Sequence, residues 1–205
     1  MDTSKIIGEV LLRLNRSNRP VVCNVSDRHV HLSKENIHKL FGTGYSLTKL
    51  RDLMQPGEFA AKETVNIVGP RNTVTDVRVL GPERSYSQVE VSRTDCYVLG
   101  IETEVRESGN IQGTAGIRIV GHNGSVWLNE GLIVARRHIH MKPEDAVFYK
   151  VKNGQSVRIR IKSNRPVIFD NVQVRVGSGY NLECHIDRDE ANACDMKSGD
   201  MVFLC

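Results

Sequence analysis

Ser26-Asp27-Arg28-His29-Val30-His31-Leu32 and Ala135-Arg136-Arg137-His138-Ile139-His140-Met141 are two settings of one phrase, and their reading decides the fold. In an extended strand, side chains two apart share a face. Each stretch therefore presents two imidazoles side by side, as a metal ion or a phosphate requires. Four of the seven histidines sit in these pairs, so function is to be sought there.

The repeat extends outward from the pairs. His31-Leu32-Ser33-Lys34-Glu35-Asn36 matches His140-Met141-Lys142-Pro143-Glu144-Asp145, and a third copy with one histidine follows at His185-Ile186-Asp187-Arg188-Asp189-Glu190-Ala191. Val151-Lys152-Asn153-Gly154 and Met196-Lys197-Ser198-Gly199 stay in register, 45 residues apart like His140 and His185. The unit reads as a strand that ends at the histidine and turns into a short helix. Asp187 with Glu190 three residues later has the spacing of a capping box, and Pro143 suits a first helical turn. Three strand ends then deliver five histidines: His29, His31, His138, His140 and His185.

Around this repeat the pattern is mostly β. Short alternating runs bounded by Gly, Pro or Asn predict strands at 21–25, 64–68, 74–80, 87–92, 116–120, 125–128, 131–135, 156–161, 167–169, 172–176, 182–186 and 201–204. Helices are expected at about 4–15, 33–41, 48–54, 143–148 and 188–194. Many short strands with few helices point to small barrels rather than a parallel α/β sheet. Ile6, Ile7, Val10, Leu11 and Leu14 recur at helical spacing before a polar tether ending at Pro20. Such a helix either packs on the body or serves as a docking tag.

The chain has 205 residues, enough for one large or two small domains. A net charge of +4 suits a small anionic substrate. Without an Arg/Lys run interleaved with aromatics, nucleic acid is not an expected partner. No apolar stretch approaches a membrane span, and the N-terminus has no secretory signature. Five cysteines without a CxxC pair fit free thiols in a reducing cytoplasm. Cys184 lies beside His185, but a small buried hydrophobe is its simpler role.

Neutral imidazoles with a carboxylate or a third histidine make a common zinc set. His29 and His31 are expected to take one ion, with Glu90 the candidate to complete it. His138, His140 and His185 take the other. In Ser87-Gln88-Val89-Glu90-Val91-Ser92-Arg93, Gln88, Glu90 and Ser92 share a face, and three polar groups there need water or a site. A single His-x-His also arises on solvated strands; two copies in a shared repeat favour metal. His38 reads as a helix-surface residue and His122 as a turn residue. Arg71, Arg84 and Arg106 stand near rigid turns, where a planar guanidinium suits phosphate, although each taken alone reads better as a solvated loop charge. Arg28, Arg136 and Arg137 adjoin the histidine pairs and read as structural partners. GxxxxGK[ST], GxSxG and GxGxxG motifs are absent.

From about residue 20 the chain resembles the phosphate propanoyltransferases, the phosphotransacylases of the kind found in bacterial microcompartments. The resemblance runs through residues 26–33, Gln55-Pro56-Gly57-Glu58-Phe59-Ala60, Val77-Arg78-Val79-Leu80-Gly81-Pro82 and Gln88-Val89-Glu90-Val91-Ser92-Arg93-Thr94-Asp95. It continues in Glu130-Gly131-Leu132-Ile133-Val134-Ala135, Arg137-His138-Ile139-His140-Met141, His185-Ile186-Asp187 and Asp189-Glu190-Ala191-Asn192-Ala193. It implies two small β-barrels capped by short α-helices, with two Zn2+ per chain held between them. It implies the exchange acyl-CoA + phosphate for acyl phosphate + CoA. His29, His31 and Glu90 match the zinc set facing the CoA sulfur, and His138, His140 and His185 match the other. Arg84 matches the phosphate-binding arginine and Ser108 a nearby phosphate contact.

The resemblance also implies interleaved domains: a helix and tether at 1–20, one barrel from 21–29 with 136–205, and another from 30–135. It implies a homodimer, and residues 1–20 resemble encapsulation tags that meet shell or core proteins inside a cytoplasmic microcompartment. Cys184 stands where the family often has Met. Two other readings remain at this point. One is a metal-dependent thioester or phosphoester hydrolase, and the other is a non-catalytic scaffold.

Overall fold

The structure, a computed structural model, describes residues 3–205; Met1 and Asp2 of the expected segment 1–20 lie outside the described residues. In chain order, α1 (Thr3–Asn18) is followed by β1 (Val21–Ser26), β2 (His29–His31) and α2 (Lys34–Phe41). Next come β3 (Lys49–Asp52), β4 (Phe59–Val68), β5 (Thr73–Gly81), β6 (Gln88–Val91) and α3 (Arg93–Leu99). β7 (Val105–Arg106), β8 (Ala115–Val120), β9 (Ser125–Ala135), β10 (His138–Met141) and α4 (Pro143–Tyr149) continue the chain. It ends with β11 (Ser156–Ile161), β12 (Val167–Val176), β13 (Glu183–Asp187), α5 (Arg188–Ala193) and β14 (Asp200–Leu204).

The chain forms two compact units. One contains residues through Val25, Arg137–Ile186 and Glu190–Cys205; the other contains Ser26–Arg136 and Asp187–Asp189. The first chain crossing falls at Val25/Ser26, so β2 lies whole in the second unit with both His29 and His31.

In the first unit, strands in the order β1-β13-β10-β12-β11-β14 close into a barrel through antiparallel β1–β14 pairing. Val21, Cys23, Ile139, Met141, Val157, Ile159, Cys184, Ile186 and Val202 are among the residues of its core. Each fully buried Ile or Val stabilises the barrel by roughly 1.5–3 kcal/mol before entropy is counted. Helix α1 is tied to this unit by Arg16. Its guanidinium donates to the carbonyls of Tyr149 (2.8 Å from Nη2) and Cys205 (2.9 Å from Nη1). Ile6, Ile7, Val10, Leu11 and Leu14 remain 44–54% exposed, so the apolar stripe of α1 is not buried by this tie.

In the second unit, β4-β5-β2-β6-β9 form a ring that β8 closes by pairing with both β4 and β9. Val30, Leu32, Ile67, Val79, Val89, Ile119 and Leu132 belong to its core. Both units are thus mainly β with short helices.

Local chemistry explains the repeated strand-to-helix turn. Ser33 Oγ accepts from the Asn36 N–H at 3.3 Å to start α2. Pro143 opens α4, and the Lys142 N–H donates to Asp145 at 3.2 Å. The same step occurs at Ser92 and Asp95, which cap one another reciprocally at 3.2 and 3.0 Å and start α3. That helix was not among the expected ones, although Ser92-x-x-Asp95 carries the box spacing.

Two other expectations need correction. The helix expected at 48–54 is strand β3, paired antiparallel with β4 through Lys49↔Ala61 and Asp52↔Phe59. All four β3 residues, Leu50 included, are exposed. A helix there would have no apolar face to bury, whereas the sheet edge satisfies its backbone groups. The segments 125–128 and 131–135 form one strand, as do 167–169 and 172–176. The apparent breaks are irregular residues inside the strands: Gly131 at φ 124° and Asn171 at φ 56°. At Gly131 a Cβ would come within 2.9 Å of the Ser87 carbonyl.

No helix among the described residues is long and apolar enough to cross a membrane.

Candidate metal centres and phosphate clamp

Both histidine pairs are built in the same way. β2 runs antiparallel to β6, placing His29 opposite Glu90 and His31 opposite Gln88. β10 runs antiparallel to β13, placing His138 opposite His185 and His140 opposite Glu183. The aliphatic residues between the histidines, Val30 and Ile139, are fully buried in their barrel cores. By strand alternation the imidazoles then stand on the other face of the barrel wall. Cys184 likewise points into the core while His185 points out. Contact with Cys23 and burial raise the Cys184 thiol well above its usual range, so it stays a neutral thiol and a poor ligand.

His29, His31 and Glu90 form one group, and His138, His140 and His185 the other; within each, the donor atoms lie within 4.8 Å of one another. Zinc–nitrogen bonds of ~2.0–2.1 Å would need only a small closure of these side chains. The donor chemistry fits as well. His31 Nδ1, His140 Nδ1 and His185 Nε2 are buried without hydrogen-bond partners, a costly state for lone pairs that a cation would relieve. His185 Nε2 does lie 3.2 Å from Glu183 Oε2, but outside hydrogen-bond geometry.

In the second unit, His29 Nδ1 lies 2.8 Å from the Asp27 carbonyl. A carbonyl only accepts, so Nδ1 carries a proton and Nε2 is the nitrogen that faces Glu90, 3.5 Å away. Asp27 is itself gripped by Arg188 at 2.6 and 2.5 Å. Burial acts to lower the His29 imidazole, but the Glu90 charge and hydrogen bond outweigh it and raise its pKa. Burial acts to raise Glu90, but His29 and then His31 hold it well below the usual carboxylate range. Burial, then the neighbouring His29, push His31 well down. The result is an ionised Glu90 and a neutral His31, as metal binding requires, beside a His29 whose Nε2 would have to give up its proton to an ion.

In the first unit, burial first and then His138, His185 and Arg175 push His140 down to about 2, so its imidazole is neutral at any working pH. Tyr180 stacks on it with ring centroids 4.3 Å apart. Glu183, almost fully buried, accepts from Asn24 Nδ2 at 2.6 Å.

The phosphate-binding candidates sit in the second unit. Arg84 Nη1 donates to Ser108 Oγ at 3.3 Å, and Nη2 to Glu58 at 3.3 Å. The Arg84 backbone is pinned to the strand end by its N–H on the Leu32 carbonyl, 2.9 Å away. Ser108 Oγ also accepts from Gln88 Nε2 at 2.9 Å, and Gln88 donates to Glu90 Oε1 at 2.6 Å. The other arginines are engaged elsewhere. Arg71 donates to the Tyr97 carbonyl, Arg106 to Glu104, Arg28 to Asp95 and Arg137 to Glu190. His38 is half-buried on α2, and His122 is exposed in a turn.

Sequence reasoning missed Asn24, Arg175, Tyr180 and Glu183. Their only signal was position: Glu183 stands two residues before His185, as Gln88 stands two before Glu90.

The chain is similar to known proteins along nearly its whole length. The family model described as phosphate propanoyltransferase matches residues 22–197. A phosphate propanoyltransferase of Thermotoga maritima is 49% identical over 100% of this chain and 99% of its own length. Proteins of that name from Enterococcus faecalis and Priestia megaterium are 48% and 52% identical. They align over 98% and 97% of this chain and 96% and 93% of their own lengths. With the match spanning both barrels and both histidine pairs, the chain belongs to the phosphate propanoyltransferase family.

Proposed function

We propose that this protein transfers a short acyl group, propanoyl by analogy with the relatives' name, between coenzyme A and inorganic phosphate. Among the structural observations, the one that carries most weight is the hydrogen-bonded line Arg84–Ser108–Gln88–Glu90, which joins an anion-binding arginine to a metal-ligand set. A thioester hydrolase needs no such clamp for a second anionic substrate.

Arg84 offers its guanidinium fork to phosphate and Ser108 a further hydrogen bond, with phosphate taking the place of Glu58 on Nη2. A phosphate oxygen, so held, attacks the thioester carbonyl carbon. The C–O bond forms, the C–S bond breaks, and CoA leaves as the thiolate. No covalent acyl-enzyme is needed, because holding both substrates makes the encounter local. His29, His31 and Glu90 would hold one Zn2+, and His138, His140 and His185 a second. Bound zinc supplies Lewis acidity toward a carbonyl or phosphate oxygen and stabilises a thiolate.

The exposed apolar stripe of α1 supports a role for residues 1–20 in docking to shell or core proteins of a microcompartment in the cytoplasm. A homodimer belongs to the same reading. The test follows CoA thiol release from propanoyl-CoA and acetyl-CoA, with and without phosphate, before and after metal stripping. Release that requires phosphate and returned zinc is expected. Phosphate-independent release would instead make the protein a hydrolase, and release unaffected by stripping would remove zinc from the reading.

A further inference from the structure

Gln88 is fully buried, yet every polar part of its amide is engaged. Its Nε2 donates to Glu90 Oε1 at 2.6 Å and to Ser108 Oγ at 2.9 Å. Its Oε1 accepts from the Gly109 N–H at 2.8 Å. The pattern leaves one orientation: the nitrogen must face the carboxylate and the oxygen must face the N–H. It also explains the residue type. Glutamate at this position would set a second carboxylate against Glu90, and an apolar side chain would leave a buried Glu90 oxygen without its Gln88 donor and the Gly109 N–H without its acceptor. Ser92, the third polar residue of the same strand face, is spent on capping α3 instead. Gln88 is therefore the one side chain of that face in contact with both a metal-ligand carboxylate and the Ser108–Gly109 loop.

The geometry points to Gln88 as a positioning residue that couples metal binding to phosphate binding. This rests on the reading of His29, His31 and Glu90 as metal ligands and of Arg84 and Ser108 as the phosphate clamp. Held on Oε1 by Gln88, the Glu90 carboxylate keeps Oε2 turned toward His29. Held by the other amide hydrogen, Ser108 keeps its oxygen toward Arg84. An ion that fixes Glu90 thereby fixes Gln88, and Gln88 fixes the loop that receives phosphate. Coupling of this kind is reciprocal, so phosphate also tightens the metal.

The test compares wild type with Gln88→Met, which keeps the volume and removes all three hydrogen bonds. Zinc affinity is read by competition with a chromophoric chelator, with and without inorganic phosphate, and steady-state kinetics give KM for each substrate. In Gln88→Met, zinc at one of two sites is expected to weaken about tenfold, as for other groups that orient a ligand. KM for phosphate rises about tenfold, KM for acyl-CoA stays within about twofold, and phosphate loses its effect on zinc affinity. A purely structural role would lower Tm and leave that split absent. Unchanged zinc affinity or unchanged phosphate KM in the folded variant overturns the coupling while leaving the proposed reaction standing. A wild type that binds no zinc overturns both. Should Gln88→Met fail to fold by circular dichroism, Gln88→Asn shortens the amide so that it cannot reach Glu90 and Ser108 together. The same joint weakening of zinc and phosphate binding there supports the coupling, and unchanged zinc affinity overturns it.

Discussion

The block on β2 and β6 and the block on β10 and β13 differ by one exchange. Each has His-x-His facing an antiparallel strand that supplies a third donor and, two residues earlier, a supporting group. In the second unit the donor is the acid Glu90 and the support is the amide Gln88. In the first unit the donor is His185 and the support is the acid Glu183, itself held by Asn24. Each block thus carries one carboxylate, but at different distances from the ion it would hold. A carboxylate ligand neutralises part of a divalent charge directly. Glu183 instead lies 3.2 Å from the same His185 Nε2 that a cation would take, outside hydrogen-bond geometry, so it would place its charge beside the ligand rather than among the ligands. One β–α repeat, with two residue types exchanged, would give two ion sites that differ in where the carboxylate stands.

Removing a donor breaks the comparison most severely. Glu90→Ala and His185→Ala are each expected to lose one of two zinc equivalents by elemental analysis, with transferase activity down by more than ~100-fold. Loss of both equivalents in either variant would show that the centres do not load independently.

Changing a support sharpens it. Glu183→Gln is expected to weaken zinc at one centre about tenfold, by the chelator titration, and to leave the other unchanged. Wild-type affinity at both centres would make Glu183 a partner of Asn24 alone.

A smaller effect concerns the second unit only. Arg188→Ala releases Asp27, whose carbonyl fixes the His29 tautomer. Zinc affinity should drop about threefold, while thermal stability changes by under ~1 kcal/mol, as for a partly exposed ion pair. A shift of the His29 ring nitrogens in 15N spectra would report the freed tautomer directly.

The mildest contrast is in acid. Glu63, buried in the second unit, accepts from Tyr45 Oη at 2.8 Å and the Thr48 N–H at 3.1 Å. Burial acts to raise its pKa, but these hydrogen bonds win and lower it. A folded pKa below the unfolded ~4.3 adds stability above that value and loses it as pH falls through the folded one. Glu63→Gln should therefore be less stable near neutrality and show a shallower acid limb in denaturant midpoints. A parallel acid limb would remove Glu63 from the acid response.

Much of this was legible in the chain. The repeated His-x-His phrase, the alternating strands, Pro143 at a helix start and the free cysteines all follow from local rules, because spacing alone decides which side chains share a face. Other features were not. β3 has no buried side to leave a pattern, so only its hydrogen bonds to β4 distinguish it from a helix. α3 was hidden behind a strand-like run, with only the Ser92-x-x-Asp95 spacing to mark it. Glu183 looks like an ordinary strand residue until the facing strand is known, and Gln88, marked in the sequence only as a polar neighbour on the Glu90 face, shows its partners only in the fold.

The sequence by itself determined the barrel-forming periodicity, the two His-x-His pairs and the family; the first two are written in residues near one another in the chain, and the family in ordered segments along it. The tertiary structure alone decided which strands lie side by side. Antiparallel register brings His29 to Glu90, His31 to Gln88 and His138 to His185 across separations of tens of residues. Register is a property of two strands and a closed barrel together, so no local pattern in either strand contains it.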